Sequence, residues 1–320
     1  MRRPGRLAAI AVAILALLFV GSWWGFGVVE KDTDFVVPRG ASLGTVAQKL
    51  ENDHVIGSAS GFLWRARLFG SSDPIKAGEF RLPKGASRAD ILEILQHGKP
   101  IRRFVTVPEG MPAIMVYERL MREPLLTGAI PLPAEGSVLP ESYDFERGES
   151  RAAVLARMQQ AMTKTLAALW AKREVGSCPV ANPQEAITLA AIVEKETAKP
   201  AERPIVAGVY CNRLRIGMKL DADPTVIYPI TKGKPLGRRI LKSELNAVTG
   251  YNTYREVGLP AGPITNPGRA SIAAVLNPAP SDYLYFVADG RGGHVFARTL
   301  AEQEANKAKW FAIRRARGEM

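Results

Sequence analysis

Cysteine and histidine are scarce in this chain: 320 residues hold two cysteines, Cys178 and Cys211, and three histidines, His54, His97 and His294. Neither a C-x-x-C pair nor the Cys/His spacing of a zinc site occurs, so neither a metal nor an organic cofactor is expected. A Cys178–Cys211 disulfide would stabilise by about 3–4 kcal/mol for a loop of that size. The alternative is a pair of small core residues, with Cys211 on the apolar side of a helix, because sequence does not supply their separation. Acidic residues are in deficit, 31 Asp and Glu against 43 Lys and Arg, for a formal net charge of +12. That balance suits an anionic surface such as phospholipid headgroups, a cell-wall polymer or nucleic acid. Nucleic acid also requires a groove-reading module, or aromatics interleaved with Arg and Lys. Both are missing, so nucleic acid is not an expected partner.

One stretch lacks charge altogether. Leu7 to Val29 is apolar and long enough to cross roughly 30 Å of hydrocarbon. Arg2, Arg3 and Arg6 precede it, and Glu30, Asp32 and Asp34 follow, which predicts a cytoplasmic N-terminus. Trp23 and Trp24 suit an interfacial belt. No A-x-A site follows, so a retained single-pass anchor is expected in place of a cleaved signal peptide. The expectation is a tail over 1–6, a transmembrane anchor over 7–29, and an extracytoplasmic remainder.

Downstream, Val37-Pro38-Arg39-Gly40-Ala41-Ser42 recurs as Leu82-Pro83-Lys84-Gly85-Ala86-Ser87, and weakly as Val107-Pro108-Glu109-Gly110-Met111-Pro112. Each Pro-x-Gly turn follows a short β-branched or aromatic segment and precedes helical periodicity, with Ser42 and Ser87 as N-caps of the first two helices. Three copies at unequal spacing predict small α+β units and no solenoid. The first two resemble LysM-like modules, which bind glycan or act as spacers. Pro131, Pro133, Gly136, Pro140 and Gly148 then mark a long loop, read as a cleft wall or a passive connector.

From Arg151 a long helix runs to before Gly176. The next opens with Asn182 as N-cap, Pro183 at its first position and Glu185 three residues after the cap. Ala186 to Val193 is almost wholly apolar, so this helix should be buried nearly all round, yet it ends in Glu194-Lys195-Glu196-Thr197. Pro200 forces a break, and a further helix carries Ile205, Val206, Val209, Tyr210 and Leu214 before stopping at Gly217. It returns Asn212 and Arg213 past the corner. At about 100° per residue the two glutamates point about 200° apart, so they are not a cooperating pair and at most one faces a given cleft. The ordinary reading of a helical glutamate is solvated surface.

Several turn-rich, polar and aromatic segments follow. Asp221-Ala222-Asp223-Pro224-Thr225-Val226-Ile227-Tyr228 leads into an apolar run, and Tyr251-Asn252-Thr253-Tyr254 sets two phenols beside an amide. Gly258-Leu259-Pro260 and Asn266-Pro267-Gly268 are turns, and Tyr283 to Phe296 reads as a hairpin through Asp289-Gly290 and Gly292-Gly293. Aromatic faces with amides make good sugar-binding walls.

Together, Ala190-Ala191-Ile192-Val193-Glu194-Lys195-Glu196-Thr197, Asn212-Arg213-Leu214, Asp223-Pro224-Thr225, Tyr251-Asn252-Thr253-Tyr254, Gly258-Leu259-Pro260, Asn266-Pro267-Gly268 and Phe286-Val287-Ala288-Asp289-Gly290 resemble the endolytic murein transglycosylases (MltG, YceG-like). The resemblance is specific over the C-terminal half and looser over the N-terminal half. The segment after Glu135-Gly136 departs from it, with Ser137-Val138-Leu139 where the family carries aromatics. The resemblance implies endolytic cleavage of peptidoglycan strands between N-acetylmuramic acid and N-acetylglucosamine, leaving 1,6-anhydro ends, beside the synthases that make the strands. It maps the catalytic acid/base to Glu196 and suggests Asn212, Asp223, Thr225, Tyr251, Asn252 and Tyr254 as substrate-binding candidates. Two rival functions are a two-carboxylate muramidase using Asp221 or Asp223, and a non-catalytic wall-binding scaffold. The expected class is α+β: a transmembrane helix, a LysM-like region over 30–105, a connecting segment over 106–150, and a mixed α+β catalytic domain over 151–320 ending in a β-hairpin and helix.

Overall fold

A computed structural model describes residues 4–319, with side chains from residue 9 onward. The chain is α+β and divides into two compact units, residues 1–103 with 144–148, and residues 104–143 with 149–320.

The first unit contains α1 (Pro4–Trp24), β1 (Thr33–Val37), α2 (Leu43–Asn52), α3 (Ala59–Phe69), β2 (Gly78–Leu82) and α4 (Arg88–His97). β1 and β2 pair antiparallel with Phe35 opposite Phe80, and both rings are buried with Val46, Leu50, Phe62, Ile91 and Leu95. The Pro-x-Gly turns behave as their sequence predicts. Gly40 and Gly85 take φ of 74° and 82°, a region that costs other residues steric strain. Ser42 and Ser87 then cap α2 and α4 by accepting from Thr45 N (3.2 Å) and Asp90 N (3.2 Å). Glu79 is buried between Arg103 (3.0 Å) and Arg147 (3.1 Å), so this interior carboxylate has two cationic partners.

The expected transmembrane anchor over 7–29 is overturned. Among the described residues no helix is long and apolar enough to cross a membrane. The end of the apolar run packs into the first unit. Trp23 and Val29 are buried, Trp23 meets Phe62 at 5.7 Å, and Val28 N donates to Ala86 O at 2.8 Å. Composition marked the whole run as a span, whereas its last residues are core and irregular backbone. The expected single-pass location and membrane partner lose their basis with it. Arg2 and Arg3, part of the predicted orientation, lie outside the described residues.

The second unit begins in β3 (Arg103–Thr106) and continues with α5 (Ala113–Arg122), β4 (Ser142–Phe145), α6 (Arg151–Ala171), α7 (Pro183–Glu196), α8 (Arg203–Arg215), α9 (Asp223–Thr231), α10 (Lys242–Leu245), α11 (Arg269–Leu276), β5 (Tyr285–Ala288), β6 (His294–Ala297) and α12 (Leu300–Ala316). α7 is central. Every residue from Ala186 to Val193 is buried, and α6, α8, α9 and α11 pack around it. β5 and β6 form the predicted hairpin, with Phe286 opposite Phe296. Cys178 and Cys211 are bonded to each other, with Cα atoms 5.0 Å apart, which decides between the two readings of that pair.

Candidate active site

The start of α7 is fixed locally. Asn182 Oδ1 accepts from Glu185 N at 2.9 Å, and Pro183 occupies the first turn, where a missing N–H costs nothing. Its end is fixed by Thr197, whose extended backbone (φ −140°) stops the helix. The buried run between these ends delivers two glutamates to the last turn, in different surroundings.

The Glu194 side chain is 4% exposed, and it accepts from Arg203 Nη2 at 3.2 Å and from the Gly268 N–H, just before α11, at 2.8 Å. Arg203 in turn reaches Glu109 at 2.9 Å. Glu196 differs. Among the described residues it forms no ion pair, and its Oε1 is sealed from solvent with no hydrogen-bond partner. Burial pushes its carboxyl up to about 7, and the charge of Asp223 pushes the same way. Hydrogen bonding by Tyr210 and the charge of Arg213 pull it down, but less strongly.

Glu196 borders a cavity of about 530 Å³ whose walls include Tyr210, Arg213, Asp221, Asp223, Tyr254, Tyr285, Phe286 and Lys307. It also borders a second cavity of about 330 Å³ lined by Glu109, Gly110, Glu194, Lys195, Thr197, Ala198 and Arg203. Carboxylate, guanidinium, phenols and a phenyl ring around one space suit a polar, ring-shaped ligand such as a saccharide. Among the described residues no group of three or more His, Cys, Asp or Glu is arranged to hold a metal ion.

Of the residues singled out in the sequence, Asp223 and Tyr254 join Glu196 at the larger cavity, where the Tyr254 hydroxyl donates to Asp223 Oδ1 at 2.7 Å. Asp221 lines it too, 3.8 Å from Arg213. The others stand elsewhere. Asn212 donates from Nδ2 to Ser281 O (2.7 Å) and Tyr283 O (3.0 Å) and borders a separate cavity with Glu174 and Arg215. Thr225 is fully buried, its hydroxyl occupied by Ala222 O (2.6 Å) and Thr253 (2.9 Å). Asn252 is also buried and donates to the carbonyls of Glu244, Leu245 and Ala247. Tyr251 packs its ring on Tyr228 at 4.9 Å. These four act on backbone carbonyls, on Thr253 or on Tyr228, and none lines the Glu196 cavity.

Sequence reasoning passed over Tyr210 and Arg213 as parts of the site. Arg213 is 7% exposed and ties the wall together, donating to Leu284 O (2.6 Å) and Leu220 O (2.7 Å), with Tyr285 beneath its guanidinium at 5.5 Å. Their i, i+3 spacing on the helix that follows the Glu196 corner was the available signal. Glu135 was missed as well. It accepts from Ala113 N at 2.7 Å, capping α5, where Pro112 has no side chain to do so. Burial pushes its carboxyl up to about 7 against hydrogen bonds from Ala113, Tyr228 and Gly136.

The sequence pattern of the YceG-like family matches residues 35–309. The chain is 29% identical over 320 residues to an endolytic murein transglycosylase of Bacillus subtilis (strain 168), covering 89% of this chain and 87% of the relative. It is 26% identical to an endolytic murein transglycosylase of Streptococcus pneumoniae (serotype 2, strain D39), spanning 93% of this chain but 64% of that longer protein. A crystal structure of a yceG-like protein from Listeria monocytogenes superposes with a TM-score of 0.54 at 27% identity, covering 86% of this chain and 98% of the other.

Proposed function

Because this chain belongs to the YceG-like family, we propose that it is a peptidoglycan lytic transglycosylase in which Glu196 serves first as acid and then as base. The observation that carries the reading is the Glu196 carboxyl itself: one oxygen sealed and unpartnered, no ion pair, a pKa raised to about 7, and a place on the wall of a saccharide-sized cavity. A group with a pKa of about 7 is protonated in a large share of molecules at neutral pH and returns readily to carboxylate, which both halves of the reaction require.

In the first half the Glu196 proton passes to the glycosidic oxygen as the bond from muramoyl C1 breaks, releasing N-acetylglucosamine with a new hydroxyl. In the second, the muramoyl C6 hydroxyl attacks C1 and gives its proton to the Glu196 carboxylate, closing the 1,6-anhydro ring. Atoms balance without water, and the acid is regenerated. Ordinary glycosidases divide these tasks between two carboxylates. Here the internal hydroxyl takes the place of water, so one carboxyl suffices, and the substrate acetamido group assists the oxocarbenium-like state. The two cavities that Glu196 borders suit a strand bound across the site, which cleavage within a chain requires.

The two-carboxylate muramidase keeps one supporting observation, since Asp223 shares the cavity with Glu196. Mass spectrometry of products from defined glycan strands separates the two: anhydro ends support the transglycosylase, and reducing muramic acid ends would sink it. Glu196→Gln is expected to lower release of anhydro ends by about 1,000-fold, within the range for loss of a general acid or base. Glu194→Gln is expected to retain activity in its folded fraction, and the reverse pattern would refute the assignment.

A further inference from the structure

A second largely buried carboxylate stands at the corner that follows Glu196, and its partners occupy it fully. Glu202, just before α8, accepts at Oε2 from the Thr197 hydroxyl (3.0 Å) and His294 Nδ1 (2.7 Å), and at Oε1 from the His294 backbone N–H (3.0 Å). Burial pushes Glu202 up, but the bonds from the His294 ring, the His294 backbone and Thr197 outweigh it and hold the carboxyl below its ordinary range. An ionised carboxylate has no proton to give, so Nδ1 of His294 carries the proton and donates.

The two partners lead to opposite sides of the site. Thr197 is the residue after Glu196 and caps α7, and its hydroxyl also accepts from Lys199 N at 3.1 Å. His294 stands edge-on to Phe286 with centroids 5.2 Å apart, and Phe286 stands edge-on to Tyr210 at 5.9 Å. Phe286 and Tyr210 are both walls of the Glu196 cavity. One carboxylate therefore joins the backbone leaving Glu196 to the aromatic wall of that cavity. A Cβ on Gly293 would lie 2.5 Å from Glu202 Oε1 and 2.3 Å from Lys199 Nζ, so both side-chain ends would have to shift to admit it.

We propose that Glu202 and His294 are positioning residues for the reaction, fixing the end of α7 against the Phe286–Tyr210 wall so that Glu196 stays aimed into the cavity. This rests on the reading of Glu196 as the acid/base.

The test compares full-length wild type with Glu202→Gln, His294→Phe, His294→Asn and Gly293→Ala. It reads kcat and KM for release of anhydro ends from defined glycan strands, at a temperature well below each variant's Tm. Misplacement of about 1 Å costs up to about 100-fold in rate. Glu202→Gln, His294→Phe and Gly293→Ala are therefore expected to lower kcat roughly 10- to 100-fold with KM nearly unchanged. His294→Asn, whose amide keeps a donor near the place of Nδ1, is expected to recover most of that loss. Gly293→Ala removes neither partner and displaces the Glu202 side-chain end, so it tests the contact even where another variant melts. A fall in Tm with kcat unchanged in the folded protein overturns the proposal, as does equal loss in the Asn and Phe variants. If wild type itself releases no anhydro ends, the reading of Glu196 fails first and this proposal with it.

Discussion

The two sides of the last turn of α7 treat a carboxylate in opposite ways. On one, Glu194 meets a guanidinium and a backbone N–H and is fully partnered. On the other, Glu196 has a sealed oxygen with no donor and is pushed up to about 7. The first unit supplies a control, since Glu79 is as deeply buried as Glu194 and is held by two arginines. At Glu79 and Glu194 the buried carboxylate is supplied with cations. Where the protein leaves one without them, the burial is tolerated because the neutral form is accessible, and that form is a usable acid.

The largest effect that tests the contrast is on the partnered side. Removing one member of a buried ion pair leaves an uncompensated charge and costs about 3–5 kcal/mol. Glu194→Gln is expected to fall at the lower end of that range, because Arg203 keeps Glu109. Urea unfolding at pH 7 measures the loss. Full stability in this variant would mean that the Arg203 contact adds nothing, and the contrast would collapse.

The unpartnered side is expected to move the other way. The folded value of about 7 lies above the ordinary 4.5, so ionising Glu196 is harder in the folded state. The resulting instability is absent below about pH 4.5, grows as pH rises and is complete above about pH 7. Glu196→Gln should therefore stabilise the protein by about 2 kcal/mol at pH 8, discounted because the residue keeps partial solvent contact, and by almost nothing at pH 4.5. Unfolding at the two pH values checks both sign and size. A gain of equal size at both would show that the charge is not its source.

What the sequence made legible here was local. The Asn182 cap, the Pro183 start and the buried run follow from helical geometry and neighbouring residues. The turns at Gly40 and Gly85 were legible for the same reason. Tertiary consequences were not. The expectation that at most one of the two glutamates faces a given cleft fails at the smaller cavity, which both border. Asn212, Thr225 and Asn252 looked like ligands for sugar because they are polar in turn-rich segments, yet carbonyls far along the chain take up the hydrogen bonds of Asn212, and nearby carbonyls, with the buried Thr253 hydroxyl, take up those of Thr225 and Asn252. Arg213 was hidden for the converse reason, since a buried arginine looks like a surface one until its acceptors are known. The apolar run over 7–29 was misread because composition does not say which of its residues end in a core. The disulfide required a distance.

The smallest predicted effect probes the field between the two sides of the cavity. Tyr210 and Arg213 from α8, Asp223 from α9 and Tyr254 face Glu196. The charge of Asp223 raises its pKa, while Tyr210 and Arg213 lower it. Asp223→Asn keeps an oxygen for the Tyr254 hydroxyl, so the wall survives and only the charge is lost. Without that charge Glu196 ionises more easily, and the pH above which the free enzyme lacks its proton moves down. The alkaline limb of kcat/KM reports that proton, and a downward shift of less than about one unit is expected. Tyr210→Phe removes an interaction that favours the carboxylate and should move the limb upward. Opposite displacements from these two variants would tie the limb to Glu196. An unmoved limb in both would assign the acid to a carboxyl other than the one at the end of α7.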